Sequence, residues 1–64
     1  SGPALTTEGK PLKDYVEAFE RMLIDNTMRR HKGSIVAVME ELCLPRRTLN
    51  EKMAKYGLQR QDYV

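Results

Sequence analysis

A chain of 64 residues holds one domain at most, and a core of that size rarely supplies more than roughly 3–5 kcal/mol unless something staples it. A single cysteine, Cys43, excludes an internal disulfide, and a single histidine leaves no ligand set for a structural zinc. Self-association is therefore the expected source of further stability. Eleven basic against nine acidic residues is too even a balance to announce nucleic acid, so placement has to decide. Arg29, Arg30, His31 and Lys32 form one basic run and Arg46 and Arg47 a second, with Glu40 and Glu41 between them. No apolar run approaches the length that crosses a membrane and no secretory pattern is present, while a lone free thiol suits a reducing compartment. The expected location is the cytoplasm, with no membrane partner.

Residues 1–10 hold two glycines, a proline and two threonines but only Ala4 and Leu5 as clearly apolar side chains, and they show no periodicity. They read as a linker or an expression remnant, with the folded domain over residues 11–64. The missing initial methionine fits a fragment of a longer protein whose other domains lie upstream.

From Pro11 the pattern changes. Leu12, Tyr15, Val16, Phe19, Met22 and Leu23 recur at spacings of three and four, the signature of an amphipathic helix. Pro11 suits the first helical position, Asp14 and Glu17 complement the dipole at one end and Arg29 and Arg30 at the other, and Gly33 supplies the stop. The first helix is expected over about Pro11 to His31. Ser34 can cap a second helix, on which Ile35, Val38, Met39 and Leu42 mark one face. Pro45 disfavours the helical conformation for Leu44, so the second helix should end near Cys43. Pro45 is acceptable as the first residue of a third helix, with Leu49, Met53 and Tyr56 buried and Gly57 closing it. The fold class is all-α, and the second and third helices, separated by about three residues, make a helix-turn-helix.

The third helix carries the most telling local feature. Arg46 and Arg47 lie in its first turn, where the positive end of the dipole disfavours cations by some tenths of a kcal/mol, so folding alone would not choose them. With Leu49, Met53 and Tyr56 inward, a rotation of 100° per residue puts Arg47, Glu51 and Ala54 on the outer side with Asn50 beside them. Arg46 takes one shoulder and Thr48, Lys52 and Lys55 the other. Arginine can grip guanine bidentately, asparagine can do the same for adenine, and threonine or lysine can hold phosphate oxygens. A merely solvated surface would carry such charges too. The break at Leu44-Pro45, the arginines set against the dipole and a helix short enough for a major groove together favour double-stranded DNA as partner. Arg46, Arg47, Thr48, Asn50, Lys52 and Lys55 are the candidate contacts.

The stripe on the first helix would be ordinary core in a larger domain. Here two helices of about three turns are too short to cover Phe19 and the flanking Tyr15, Met22 and Leu23, so Leu12, Tyr15, Val16, Phe19, Met22 and Leu23 are expected to form a homodimer interface. The run Arg29 to Lys32 reads chiefly as dipole complement. Cys43 reads as a small buried side chain rather than a nucleophile, since no base is placed for it. There is no phosphate-binding glycine loop, no metal spacing around His31 and no carboxylate pair with a pocket, hence no catalytic residue, no metal and no cofactor.

Read from Gly33 to Gly57, GSIVAVMEELCLPRRTLNEKMAKYG resembles the Fis-type helix-turn-helix at the C-terminus of NtrC-like activators, which work with the alternative sigma factor sigma-54. The strongest part is Arg-x-Thr-Leu-x-x-Lys-Met, with Leu42 before it and Tyr56-Gly57 after it. Within that family, LPRRTLNEKMAKYGL looks especially like the C4-dicarboxylate transport regulators. The resemblance implies a first helix that dimerises, a third helix in the major groove, and an upstream ATPase domain with, often, a phosphorylatable receiver. It further implies base contact for Arg46, phosphate contact for Thr48, and contacts at the site or its flanks for Asn50 and Lys52; Arg47 is added on physical grounds. Four positions depart from the family pattern. Val38 and Met39 replace small residues, which would set the helices slightly further apart. Cys43 replaces a turn glycine, which speaks against a left-handed turn there. Glu51 stands where basic residues are common, and a carboxylate near phosphates repels unless it accepts from a cytosine.

The expected function is thus sequence-specific DNA binding and dimerisation in a bacterial transcription activator. The competing reading is a helical module that only dimerises or docks a protein partner. It calls for an exposed apolar face on the third helix, and that face is polar.

Overall fold

The computed structural model describes residues 8–64. They form three α-helices, α1 (Leu12–Arg30), α2 (Ile35–Leu42) and α3 (Arg46–Tyr56), followed by one turn of 3-10 helix over Arg60–Asp62. No strand occurs among the described residues, so the class is all-α as the periodicity predicts. Of the expected linker, residues 1–7 lie outside the described residues.

The two prolines that open helices sit one position earlier than expected. Pro11 and Pro45 are N-caps with extended backbone (ψ 148° and 152°) rather than first helical residues. At the cap the missing N–H costs nothing, and each proline carbonyl still starts its helix by accepting from Asp14 (3.0 Å) and Leu49 (3.0 Å). Ser34 caps α2 as its residue type requires, its Oγ accepting from the Ala37 N–H.

All three helices close in the same way. The N–H groups of Gly33, Leu44 and Leu58 donate back to the carbonyls of Met28, Met39 and Met53 at 3.0, 3.0 and 2.8 Å, the six-to-one closure that needs a left-handed residue just before the donor. Those residues are Lys32, Cys43 and Gly57, at φ 53°, 54° and 70°. The turn out of α1 therefore begins at Lys32, one residue before the expected glycine, and Gly33 continues it at φ 85°.

Cys43 corrects two expectations. It adopts the left-handed turn, and its side chain is exposed rather than buried. Closure onto Met39 is what demands that conformation, because it is the route by which Leu44 returns to the core. The thiol is carried outward, with Sγ 3.8 Å from the Glu40 carbonyl.

Ile24, Met28, Val38, Leu49, Met53 and Leu58 form the buried core, with Ile35, Met39, Leu42, Leu44, Tyr56 and Tyr63 packed around it. The inward faces expected of α2 and α3 are the ones observed. On α1 the core residues are Ile24 and Met28 with Thr27, whose hydroxyl donates to the Leu23 carbonyl at 2.7 Å. At 100° per residue they lie about a third of the way round the helix from the apolar stripe. Most of that stripe stays uncovered: Leu12 is 77% exposed and Phe19 52%, and Val16, Met22 and Leu23 are exposed as well. Tyr15 is half-buried, its hydroxyl accepting from the backbone N–H groups of Glu8 and Lys10.

A polar seam locks α3 to α1. Glu20 accepts from Lys52 Nζ at 3.1 Å on both oxygens and from the Tyr56 hydroxyl at 2.6 Å. Lys55 pairs with Glu17 at 2.5 Å. At the far end Glu41 joins Arg30 and His31, the latter at 2.7 Å, and so ties the end of α1 to α2. Each carboxyl is held below its ordinary value of 4.5: Glu20 by the Tyr56 hydroxyl and then Lys52, Glu17 by Lys55, and Glu41 down to about 2 by Arg30 and His31.

Two stability measurements check this packing. Cys43→Gly removes a left-handed conformation that costs an L-residue ~1–2 kcal/mol and returns ~0.5–1 kcal/mol in unfolded-state freedom; the expected net gain, up to ~1 kcal/mol, raises Tm by a few degrees in a thermal melt. Depressed carboxyl pKa values contribute stability that is present above 4.5 and lost as pH falls through the folded values. Glu20→Gln is accordingly expected to be less stable than the parent near neutral pH, by up to ~1 kcal/mol as for screened pairs. That deficit shrinks as pH drops below 4.5 in urea titrations at successive pH values.

Candidate nucleic-acid interface

The outer side of α3 is set by its inner one. Leu49 and Met53 are buried against the other helices, so Arg47, Asn50, Glu51 and Ala54 are turned to solvent, and Arg46, on a shoulder in the first turn, is exposed as well. The Arg47 side chain is 91% exposed and only loosely associated with Glu51, 3.7 Å away one turn on. Among the described residues no carboxylate pairs with Arg46. Arg46 therefore stands free in the first helical turn and Arg47 keeps only that loose pair, both set against the dipole at a small cost.

The six candidate contacts divide into two groups. Arg46, Arg47 and Asn50 share the exposed face, with Thr48 half-buried at its edge. Lys52 and Lys55 are drawn to the α1 side by Glu20 and Glu17, and Lys55 Nζ also lies 5.4 Å from the centre of the Tyr56 ring. Rotation about the helix axis places these lysines on a shoulder, but only the acids of α1, thirty or more residues away in sequence, decide which way that shoulder leans.

The earlier basic run is largely engaged within the chain. Arg29 pairs with Asp25 at 3.2 Å and lies 5.7 Å from the Tyr63 ring centre, and Arg30 and His31 share Glu41. Lys32 is the exception. It lines a groove with Ser34, Ile35, Val36, Arg46 and Arg60. A neighbouring cleft is bounded by Asn50, Ala54, Gln59 and Arg60 over Met53 and Leu58.

Arg60 and the segment that holds it escape sequence reasoning, which stops at Gly57. One signal was available: an apolar residue directly after a helix-closing glycine tends to fold back on the last turn, and Leu58 does so. Nothing comparable marks Tyr63, which reaches back to Asp25 across 38 positions to donate at 2.6 Å. Among the described residues no cluster of metal-ligating side chains occurs, and no helix is long and apolar enough to cross a membrane.

This arrangement can be set beside known proteins. The sequence profile of the bacterial regulatory proteins of the Fis family matches residues 15–56, which span α1 from its fourth residue and the whole of α2 and α3. The chain is 41% identical over 59 residues to the phosphoglycerate transport system transcriptional regulatory protein PgtA of Salmonella typhimurium, covering 92% of this chain and 14% of that protein. It is 43% identical over 56 residues to the C4-dicarboxylate transport transcriptional regulatory protein DctD of Pseudomonas aeruginosa, covering 88% and 12%. It is 43% identical over 47 residues to the pathogenicity locus probable regulatory protein HrpR of Pseudomonas syringae, covering 73% and 15%. The chain thus spans about one seventh of the length of these relatives. No solved structure matches it significantly. The relatives are regulators, which agrees with the reading of the chain as no enzyme, and on the match of its three helices the chain belongs to the Fis family of bacterial regulatory proteins, as an all-α helix-turn-helix domain.

Proposed function

We propose that this domain binds a two-fold symmetric DNA site as a homodimer, with α3 in the major groove, and anchors a sigma-54-dependent transcription activator at an enhancer. The observation that carries the reading is the pair Arg46 and Arg47, exposed with Asn50 on a helix that follows a three-residue break, in a position that folding alone disfavours. Arg46 and Arg47 read bases, Asn50 reads a base or its flank, and Thr48 holds phosphate at the rim. Lys52 and Lys55 border the site, and each must leave its α1 carboxylate to reach a phosphate.

The exposed stripe Leu12, Val16, Phe19, Met22 and Leu23 supports the dimer, with Tyr15 at its margin. Two copies related by a two-fold axis present two α3 helices to half-sites about one helical turn apart, ~34 Å, or a multiple of it. The whole protein carries an ATPase domain and a receiver upstream and works in the cytoplasm. Two of the relatives regulate transport systems, and control of a transport gene is the process proposed here.

The test is fluorescence anisotropy against duplexes selected from a random pool, at several salt concentrations. Arg46→Ala and Arg47→Ala are each expected to lose ~1–3 kcal/mol on the selected duplex and to relax its preference. Binding that is steep in salt yet indifferent to sequence would sink base readout and return the dimer-only reading. For the interface, Phe19→Asp is expected to sediment as a monomer with its helical circular dichroism retained, and to lose affinity for a two-half-site duplex far more than for a single half-site. A Phe19→Asp protein that stays dimeric removes the stripe from that role.

A further inference from the structure

The segment that follows α3 does more than finish the fold. Leu58 is buried, the Tyr63 hydroxyl donates to Asp25 at 2.6 Å and the Arg29 guanidinium lies 5.7 Å from the Tyr63 ring centre. A Cβ added at Gly33 would lie 2.8 Å from the Val64 side chain and 3.3 Å from the Arg60 carbonyl oxygen, so the segment sits hard against the turn between α1 and α2. These contacts fix the single turn of 3-10 helix on which Arg60 is carried. Its Nε–H then donates to the Gly33 carbonyl at 3.0 Å, which sets the direction of the guanidinium. Among the described residues no carboxylate pairs with it.

What that guanidinium faces is cationic. The groove it lines holds Lys32, Ser34 and Arg46 beside Ile35 and Val36, with no carboxylate among them. The adjoining cleft that Arg60 also lines contains Asn50 and Ala54 of the exposed α3 face. Arg60 therefore stands at the border between the base-reading face and the start of α2. With Nε engaged, its two terminal nitrogens remain, a fork that matches the oxygens of a phosphodiester.

We infer that Arg60 is a DNA-binding residue of a second kind, a pre-set clamp for a backbone phosphate beside the groove that α3 enters. The inference rests on the α3 reading above. Continuity with Arg46 and Asn50 selects the duplex that α3 reads as the occupant, and a backbone contact holds register without reading sequence.

Arg60→Gln removes the charge and keeps an N–H donor for the Gly33 carbonyl. On the selected duplex and on a scrambled duplex of the same composition, its plot of log affinity against log salt is expected to be shallower than the parent's by about one unit per engaged protomer. Both duplexes weaken equally, and Arg60→Lys restores the slope. An unchanged slope in a variant that melts like the parent overturns the clamp, as does a loss confined to the selected duplex. Should Arg60→Gln melt early, the parent protein decides the matter. The Arg60 Hε resonance should shift on adding duplex, and neutralising one flanking phosphate as its methylphosphonate should abolish that shift and weaken binding; a resonance indifferent to every duplex refutes the inference. A parent that discriminates between duplexes while Arg60→Gln keeps its slope sinks the clamp alone. A parent without preference sinks the α3 reading, and the Arg60 slope is still read on either duplex.

Discussion

Ile24 and Met28 on α1 form the seat into which Val38, Leu49 and Met53 pack, and every outward face of the domain follows from that contact. Fewer than ten buried side chains hold three helices, so none has freedom to rotate: once Leu49 and Met53 point inward, Arg47, Glu51 and Ala54 must point out, with Asn50 beside them and Arg46 on a shoulder. Each helix then stops where it must for the next to reach the same core. The repeated closure onto Met28, Met39 and Met53 performs this, and its requirement is strict enough to put lysine and cysteine, rather than glycine alone, into the left-handed region.

Around that core the cations are sorted by chemistry. Lysines of α3, flexible and content with a single carboxylate, lie back on the acids of α1, while Arg46 is left free and Arg47 is held only loosely by Glu51. The arrangement leaves the planar donors exposed on α3 and uses the point charges to hold that helix against α1. Glu20 is central to it, since one carboxylate there binds both a lysine and a tyrosine of α3.

Much of this was legible in the sequence where the information is local. Ser34, Pro45 and Gly57 mark boundaries through their own backbone chemistry, and the faces of α2 and α3 appear in their periodicity. The first helix was harder, because its most regular apolar stripe is not the one that meets the core. Ile24, Thr27 and Met28 form a second face with a hydroxyl in its middle, and periodicity cannot say which of two faces looks inward. At Cys43 residue type argues against a conformation that tertiary closure imposes. The lean of Lys52 and Lys55 and the docking of residues 58–64 depend on partners far away in sequence, at Glu17, Glu20, Asp25 and Gly33, and no local rule reports these.

The separation of those two faces along α1 has a consequence for how such a domain can change over generations. The stripe occupies Leu12 to Leu23, whereas the seat for the other helices lies between Ile24 and Met28. A drift among the apolar side chains of the stripe alters the exposed face of the helix and leaves the core as it was, whereas Glu17 and Glu20 in the same stretch are held to α3. A drift in the seat threatens the fold itself. One continuous helix thus carries two apolar faces, and the side chains of the outward one can vary without disturbing the seat of the other two helices.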